Sequence, residues 1–147
     1  MSRSDDSSVS TDTAPPPVGA YPHARRVGGL LFLSGIGPRA PDGGPTPGVE
    51  LDDDGNVVGV DIEAQCHSVF ANVRAVLESA GAAWEDLVDI TVFLTDIGRD
   101  FEAYNRVYAE YFSSDGPCRT TVEVTRLPTP IAIELKCMAV IGQEDHG

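Results

Sequence analysis

Apolar residues fall along this chain in two rhythms, one of period near 3.6 and one of period 2. The first begins after Asp61, a residue suited to cap a helix. Ile62, Cys66, Val69, Phe70, Val73, Val76, Leu77 and Ala80 then lie on one helical stripe, and Gly81 follows as a stop. A second stripe, Phe101, Tyr104, Tyr108, Tyr111 and Phe112, predicts another helix, capped by Asp100 and ended by Gly116-Pro117. Strands are predicted where β-branched and apolar residues are bounded by turn formers. Leu30-Leu31-Phe32-Leu33 lies between Gly28-Gly29 and Ser34-Gly35, residues 87–95 form another such run, and residues 120–125 and 131–141 flank the turn Leu127-Pro128-Thr129-Pro130. Residues 49–60 hold two short strand candidates around Asp54-Gly55-Asn56, and the stretch from 37 to 48 carries four prolines and reads as a loop.

Single helices between strands, with hairpin-like spacings at both ends, predict an α+β sandwich: a mixed β-sheet with two helices packed on one face. The last strand then poses a problem. Its odd positions, Ile131 to Cys137, are apolar and suit a face under the helices. Its even positions, Ala132, Glu134, Lys136 and Met138, make a mixed face. A mixed sheet face without helices of its own implies cover by another subunit.

The chain of 147 residues suits one domain. Residues 1–17 are rich in Ser, Thr, Asp and Pro and lack the apolar core of a secretion signal. Such a composition does not offset the entropy of ordering, so it predicts a disordered tail, followed by a single domain over 18–147. No apolar run is long enough to span a bilayer. Ten Lys+Arg against 23 Asp+Glu give a net charge of -13, which opposes nucleic acid and anionic lipid as partners. An isolated arginine in such a field becomes a conspicuous anion site.

The three cysteines, Cys66, Cys118 and Cys137, form neither a CxxC pair nor an even disulfide framework, and they read as reduced thiols of a cytoplasmic protein. Adjacent Cys66 and His67 sit about 100° apart on a helix, poorly placed to share a metal. They read as a buried thiol beside a partly exposed ring, and no metal site is expected. Cys118 has two readings, an inert thiol or one activated by its cationic neighbour.

Two charged residues stand out chemically. Arg119 sits where a Gly-Pro-Cys turn enters a strand, and a guanidinium grips a carboxylate through two parallel hydrogen bonds. Glu134 lies between Ile133 and Leu135, where apolar surroundings raise a carboxyl pKa toward that of a useful base. The residues alone leave the bland alternative open, a surface arginine and a glutamate on a solvated strand face.

A series of motifs bears on that choice. They are Gly19-Ala20-Tyr21, Leu33-Ser34-Gly35, Asn72-Val73, Thr91-Val92-Phe93-Leu94-Thr95-Asp96, and Phe101 through Tyr104-Asn105 to Tyr108 and Phe112. They continue with Pro117-Cys118-Arg119-Thr120-Thr121-Val122-Glu123-Val124, Arg126-Leu127-Pro128 and Ile133-Glu134. In this order they resemble the RidA/YjgF family over residues 18–141. The resemblance implies a chorismate-mutase-like fold, a homotrimer with active sites between subunits, and cofactor-free hydrolytic deamination of a carboxylate-bearing enamine or imine with release of ammonia. It implies Arg119 as the carboxylate-binding and catalytic arginine, Glu134 as the glutamate that positions water, and Tyr21, Ser34 and Asn105 as pocket residues.

The chain departs from the family pattern at Ile36, where glutamine is typical, and at Thr121, where a small thiol is common. Tyr21-Pro22-His23, Arg39-Ala40-Pro41-Asp42 and Gly48-Val49-Glu50 resemble its 2-aminomuconate deaminase branch, whose substrate in aromatic catabolism carries two carboxylates. Arg39 is then expected to hold the second carboxylate, with His23 as the other candidate. A general 2-iminobutanoate/2-iminopropanoate deaminase and a non-catalytic trimer binding small carboxylates are the alternatives.

Overall fold

The computed structural model describes residues 6–141. Its strands are β1 (Ser7–Val9), β2 (Ala24–Val27), β3 (Leu30–Leu33), β4 (Val49–Leu51), β5 (Val57–Val60), β6 (Leu87–Leu94), β7 (Cys118–Glu123) and β8 (Ile133–Val140). Its helices are α1 (Ile62–Ser79) and α2 (Ile97–Tyr111). Six strands form one sheet in the order β1-β2-β3-β8-β6-β7, and β4 and β5 form a separate hairpin. β6 and β7 run parallel while the other pairs are antiparallel, so the sheet is mixed as expected.

The two predicted rhythms locate the core. Along β3, Leu31 and Leu33 are buried while Leu30 and Phe32 are not, and along β8 Ile133, Leu135, Cys137 and Ala139 are buried in alternation with Glu134, Lys136, Met138 and Val140. The buried set meets the stripe of α1, from Ile62 to Leu77, in one hydrophobic cluster that also takes in Tyr104 and Val107 of α2. Side chains in register on neighbouring strands share a face. Phe32 opposite Met138 and Leu30 opposite Val140 therefore place these four on the face away from the helices, with Val27 beside Leu30.

Helix ends follow local chemistry. Asp61 caps α1, accepting from the Ala64 N–H at 3.1 Å. Gly81, at φ +78°, turns the chain out of α1 while the Ala82 N–H reaches the Leu77 carbonyl at 2.8 Å. The expectation that Asp100 caps α2 is corrected. Asp96 is the cap, accepting from the Arg99 N–H at 3.0 Å, and the helix starts at Ile97. Asp100 lies within the first turn, 2% exposed, and both its oxygens accept from the Arg99 guanidinium at 2.8 Å. Both aspartates are plausible caps by composition; the apolar stripe does not register that Ile97 already belongs to the helix.

The predicted boundary after residue 17 also falls inside ordered chain. β1 pairs with β2 from Ser7 opposite Arg26 to Val9 opposite Ala24, and Ala14 is 2% exposed. Composition missed this segment because backbone pairing and polar clasps, rather than an apolar face, hold it. The part of the expected tail in residues 1–5 and the end of the expected domain, residues 142–147, lie outside the described residues.

Candidate active site

The sheet divides the chemically interesting residues into two groups. Ile90 of β6 stands in register with Arg119 of β7, and Phe93 with Glu134 of β8. Ile90 and Phe93 are three apart on one strand, so Arg119 and Glu134 project from opposite faces of the sheet. Arg119 points along the helix-covered side at the β7 edge; Glu134 points to the open side.

On the open side a small cleft is lined by Tyr21, His23, Ser34, Gly35 and Arg39, together with the N-terminal residues Ala14, Pro15 and Pro17. Paired 2.8 Å bonds between the main chains of Ile36 and Leu135 carry the strand after β3 alongside β8. This contact brings Glu134 against Gly35. A Cβ built on Gly35 would lie 2.7 Å from Glu134 Oε2 and 3.1 Å from its Cδ. A glycine is therefore what lets the carboxylate lie over the main chain here. The half-buried Glu134 carboxyl is pushed above the ordinary carboxylate pKa by desolvation, opposed by the positive charge of Arg39. Glu134 and Arg39 thus lie within electrostatic reach of each other.

The other cleft residues are held by the N-terminal segment and the turn before β2. Ser34 Oγ donates to the Pro22 carbonyl at 2.7 Å, and Tyr21 Oη accepts from the Val18 N–H at 3.2 Å. Arg39 Nη2 donates to the Pro16 carbonyl at 2.6 Å. His23 is 7% exposed, with Nδ1 accepting from the Thr11 N–H at 3.2 Å. That donor fixes the tautomer: the proton is on Nε2, which donates to the Pro15 carbonyl at 2.8 Å. Both ring nitrogens are thus engaged within the chain, which sets His23 as a clasp on residues 11–15 rather than a free hand for a substrate carboxylate.

At the β7 edge, Arg119 Nη1 donates to Asn105 Oδ1 at 2.9 Å. Its guanidinium carbon lies 4.6 Å from the ring centre of Tyr108, 5.2 Å from that of Tyr104 and 6.0 Å from that of Phe101. These residues recur along one face of α2, so the aromatic stripe predicted as core also cradles the guanidinium by cation–π attraction. Burial pushes the Tyr108 hydroxyl up to about 12, so it stays neutral. Asn105 is thereby placed with Arg119, away from the Tyr21 cleft.

Cys66 is fully buried and its thiol is pushed up to about 12, chiefly by burial, whereas His67 is exposed and bonded to Tyr111 Oη. The two share no site. Cys118 is exposed at the start of β7. Residues that sequence reasoning underrated are Gly35, the Pro15–Pro16 carbonyls and Asn72, whose amide bonds the loop after Gly35. The first was visible as a glycine closing a core strand; main-chain carbonyls leave no trace in a sequence.

The chain has relatives in both sequence and fold. The sequence model of the family described as Endoribonuclease L-PSP matches residues 11–141. A RutC family protein of Pyrococcus abyssi is 39% identical over 131 residues, 89% of this chain and 94% of its own. A 2-iminobutanoate/2-iminopropanoate deaminase of Dermatophagoides farinae is 34% identical over 90% of this chain and 94% of its own. Among solved structures, that of Escherichia coli TdcF with bound serine superposes with a TM-score of 0.78 at 31% identity, covering 91% of this chain and 98% of that one. The E. coli yjgF gene product does so with a TM-score of 0.78 at 32% identity, covering 92% and 98%. With the family match spanning both the Arg119 edge and the Glu134 cleft, this chain belongs to the RidA/YjgF family.

Proposed function

We propose that the protein hydrolyses carboxylate-bearing enamines and imines to carbonyl compounds and ammonia, at sites built between subunits of a homotrimer. The observation that carries this reading is Glu134 laid against Gly35, a residue of the cleft wall, as a carboxylate whose pKa is raised by burial. An enamine first tautomerises to the imine. The imine reacts in its protonated form: Glu134 accepts a proton from water as the water oxygen bonds to the imine carbon and the C=N electron pair moves to nitrogen, giving a neutral carbinolamine. Glu134 then passes that proton to the amine nitrogen, the C–N bond breaks as the hydroxyl oxygen forms the carbonyl, and the hydroxyl proton leaves with the ammonia as ammonium. Arg119 holds the carboxylate next to the reacting carbon and so removes orientational freedom from the attack.

Arg119 and Glu134 project from opposite faces of one chain's sheet. They meet over one substrate when the Arg119 edge of one subunit faces the Glu134 cleft of the next. Three identical contacts then close a ring. The open sheet face, with Leu30, Phe32 and Val27 each at least 37% exposed, supplies apolar surface for that assembly. Three free cysteines suit a reducing, cytoplasmic setting.

Two substrate classes are supported by different observations. The name of the D. farinae relative supports short 2-imino acids. Arg39, a second guanidinium that lines the cleft within electrostatic reach of Glu134, supports an enamine with two carboxylates such as 2-aminomuconate. Ammonia release from 2-aminoacrylate and from 2-aminomuconate, each generated enzymatically in the assay, ranks them. Loss of turnover in Glu134→Gln with retained carboxylate binding supports catalysis, and unchanged turnover moves the protein to a carboxylate-binding role. The family description names an endoribonuclease, but a net charge of -13 opposes RNA. RNA cleavage assays with and without chelator check that alternative.

A further inference from the structure

The loop that leaves β3 has little of its own to hold it. After the Ile36–Leu135 pair the chain passes through Pro38, Pro41, Pro45 and Pro47 before β4, and prolines donate no main-chain hydrogen bonds. Asn72 supplies the missing restraint. It lies in mid-α1, 3% exposed, and its side-chain amide donates to the carbonyls of both Gly37 and Arg39 at 2.9 Å. A buried amide is costly unless bonded. Here both donors go to the carbonyls on either side of Pro38, so the main chain that presents Arg39 is pinned to the helix. The far end of Arg39 is held as well, by the Pro16 carbonyl at 2.6 Å. That partner is a carbonyl rather than a carboxylate, so the guanidinium keeps its full charge toward the cleft it lines.

We propose that Asn72 is a positioning residue for substrate selection: acting through residues 37–39, it keeps Arg39 as a second anion-binding group beside Glu134, and so favours substrates with an anionic group remote from the reacting carbon. The proposal rests on the deaminase reading for its biological meaning and extends it to a residue that touches no substrate. Gln65, two turns earlier on the same face, makes a different kind of clasp. It joins the Pro47 carbonyl to the Ala132 N–H, and so holds the far end of the loop rather than the part that presents Arg39.

The test measures binding of two unreactive probes, cis,cis-muconate and 2-oxobutanoate, to the assembled protein by calorimetry. Wild type, Asn72→Ala, Asn72→Ser, Arg39→Ala and the Asn72→Ala/Arg39→Ala double variant are compared, with melting curves confirming folding. Expected is a loss of about tenfold in muconate affinity for Arg39→Ala, the scale of one charged hydrogen bond. Asn72→Ala gives a smaller selective loss, Asn72→Ser, which keeps one donor, an intermediate one, and 2-oxobutanoate binding changes little in any of them. In the double variant the Asn72 effect on muconate disappears, since coupled residues are not additive. Equal weakening of both probes by Asn72→Ala, or full additivity with Arg39→Ala, overturns the proposal, as does a wild type that binds muconate no better than 2-oxobutanoate. Should Asn72→Ala fail to fold, Asn72→Ser alone and with Arg39→Ala decides by the same criteria. If wild type releases no ammonia from any imine yet shows the selective pattern, the deaminase reading fails and the positioning role stands.

Discussion

Gly35→Ala is a small change whose effects on stability and on catalysis separate. The new methyl would stand 2.7 Å from Glu134 Oε2, 3.1 Å from Cδ and 3.7 Å from Cγ. Comfortable heavy-atom contact needs roughly 3.5 Å, so the carboxylate must retreat by more than half an ångström. Gly35 has no positive φ, so alanine adds no backbone strain. The atoms in the way belong to the end of a flexible, half-buried side chain, which yields by rotating. The cost in stability is therefore modest, about 1 kcal/mol. Catalysis is less forgiving, since displacing a catalytic group by ~1 Å costs about 10²-fold. Gly35→Ala is thus expected to keep its fold and its affinity for an unreactive carboxylate while kcat falls by about two orders of magnitude, near the lower bound of the 10²–10⁴-fold expected for Glu134→Gln. Coupled ammonia assays beside thermal denaturation measure both. A Gly35→Ala protein with wild-type kcat would refute the placement of Glu134 as the base over this glycine.

Other expectations follow from the same geometry. Arg119→Ala should raise KM for an imino acid by the equivalent of about 3 kcal/mol, as for removal of one partner from a desolvated pair. Arg119→Lys should recover only part of this, since lysine lacks the planar fork, and an unchanged KM in both would remove Arg119 from the site. The acid limb of kcat against pH should lie above the ordinary carboxylate pKa, because burial raises Glu134 and the base must be ionised to act. In Arg39→Ala that limb should move to still higher pH, since the charge that pulls Glu134 down is gone; a shift to lower pH contradicts the assignment. His23→Ala should speed amide exchange at Thr11 and proteolysis within residues 7–17, while an effect confined to dicarboxylate affinity, with this segment unchanged, would make His23 a substrate ligand instead.

Much of the fold was legible because period-2 and period-3.6 patterns each commit side chains to one face. The stripe from Ile62 to Leu77 and the alternation in β8 became the two halves of the core. The mixed face of β8 was readable for the same reason, and it holds Glu134. What stayed hidden depends on main-chain partners. β1 is bound by ladder hydrogen bonds, and residues 11–16 by carbonyls reaching His23 and Arg39, none of which hydropathy records. Asp96 and Asp100 are alike in composition, and only the turn at which α2 begins separates cap from buried ion pair. The motifs single out Arg119 and Glu134 together. Their projection from opposite faces required the strand register, because β7 is parallel and β8 antiparallel to the β6 between them.

That projection supports the central claim, that each site is completed by a neighbouring subunit, and subunit mixing tests it most directly. Arg119→Ala and Glu134→Gln proteins, each lowered about a hundredfold or more when assayed alone with substrate below the wild-type KM, are co-refolded in equal amounts and assayed for ammonia release under the same conditions. A ring assembled at random pairs an intact Glu134 with a neighbour's intact Arg119 at about one site in four, so about a quarter of wild-type activity should return. If Arg119 and Glu134 act within one chain, no mixture of the two variants holds an intact site. Activity that stays at the level of the separate parents, in rings shown to contain both chains, would contradict the account.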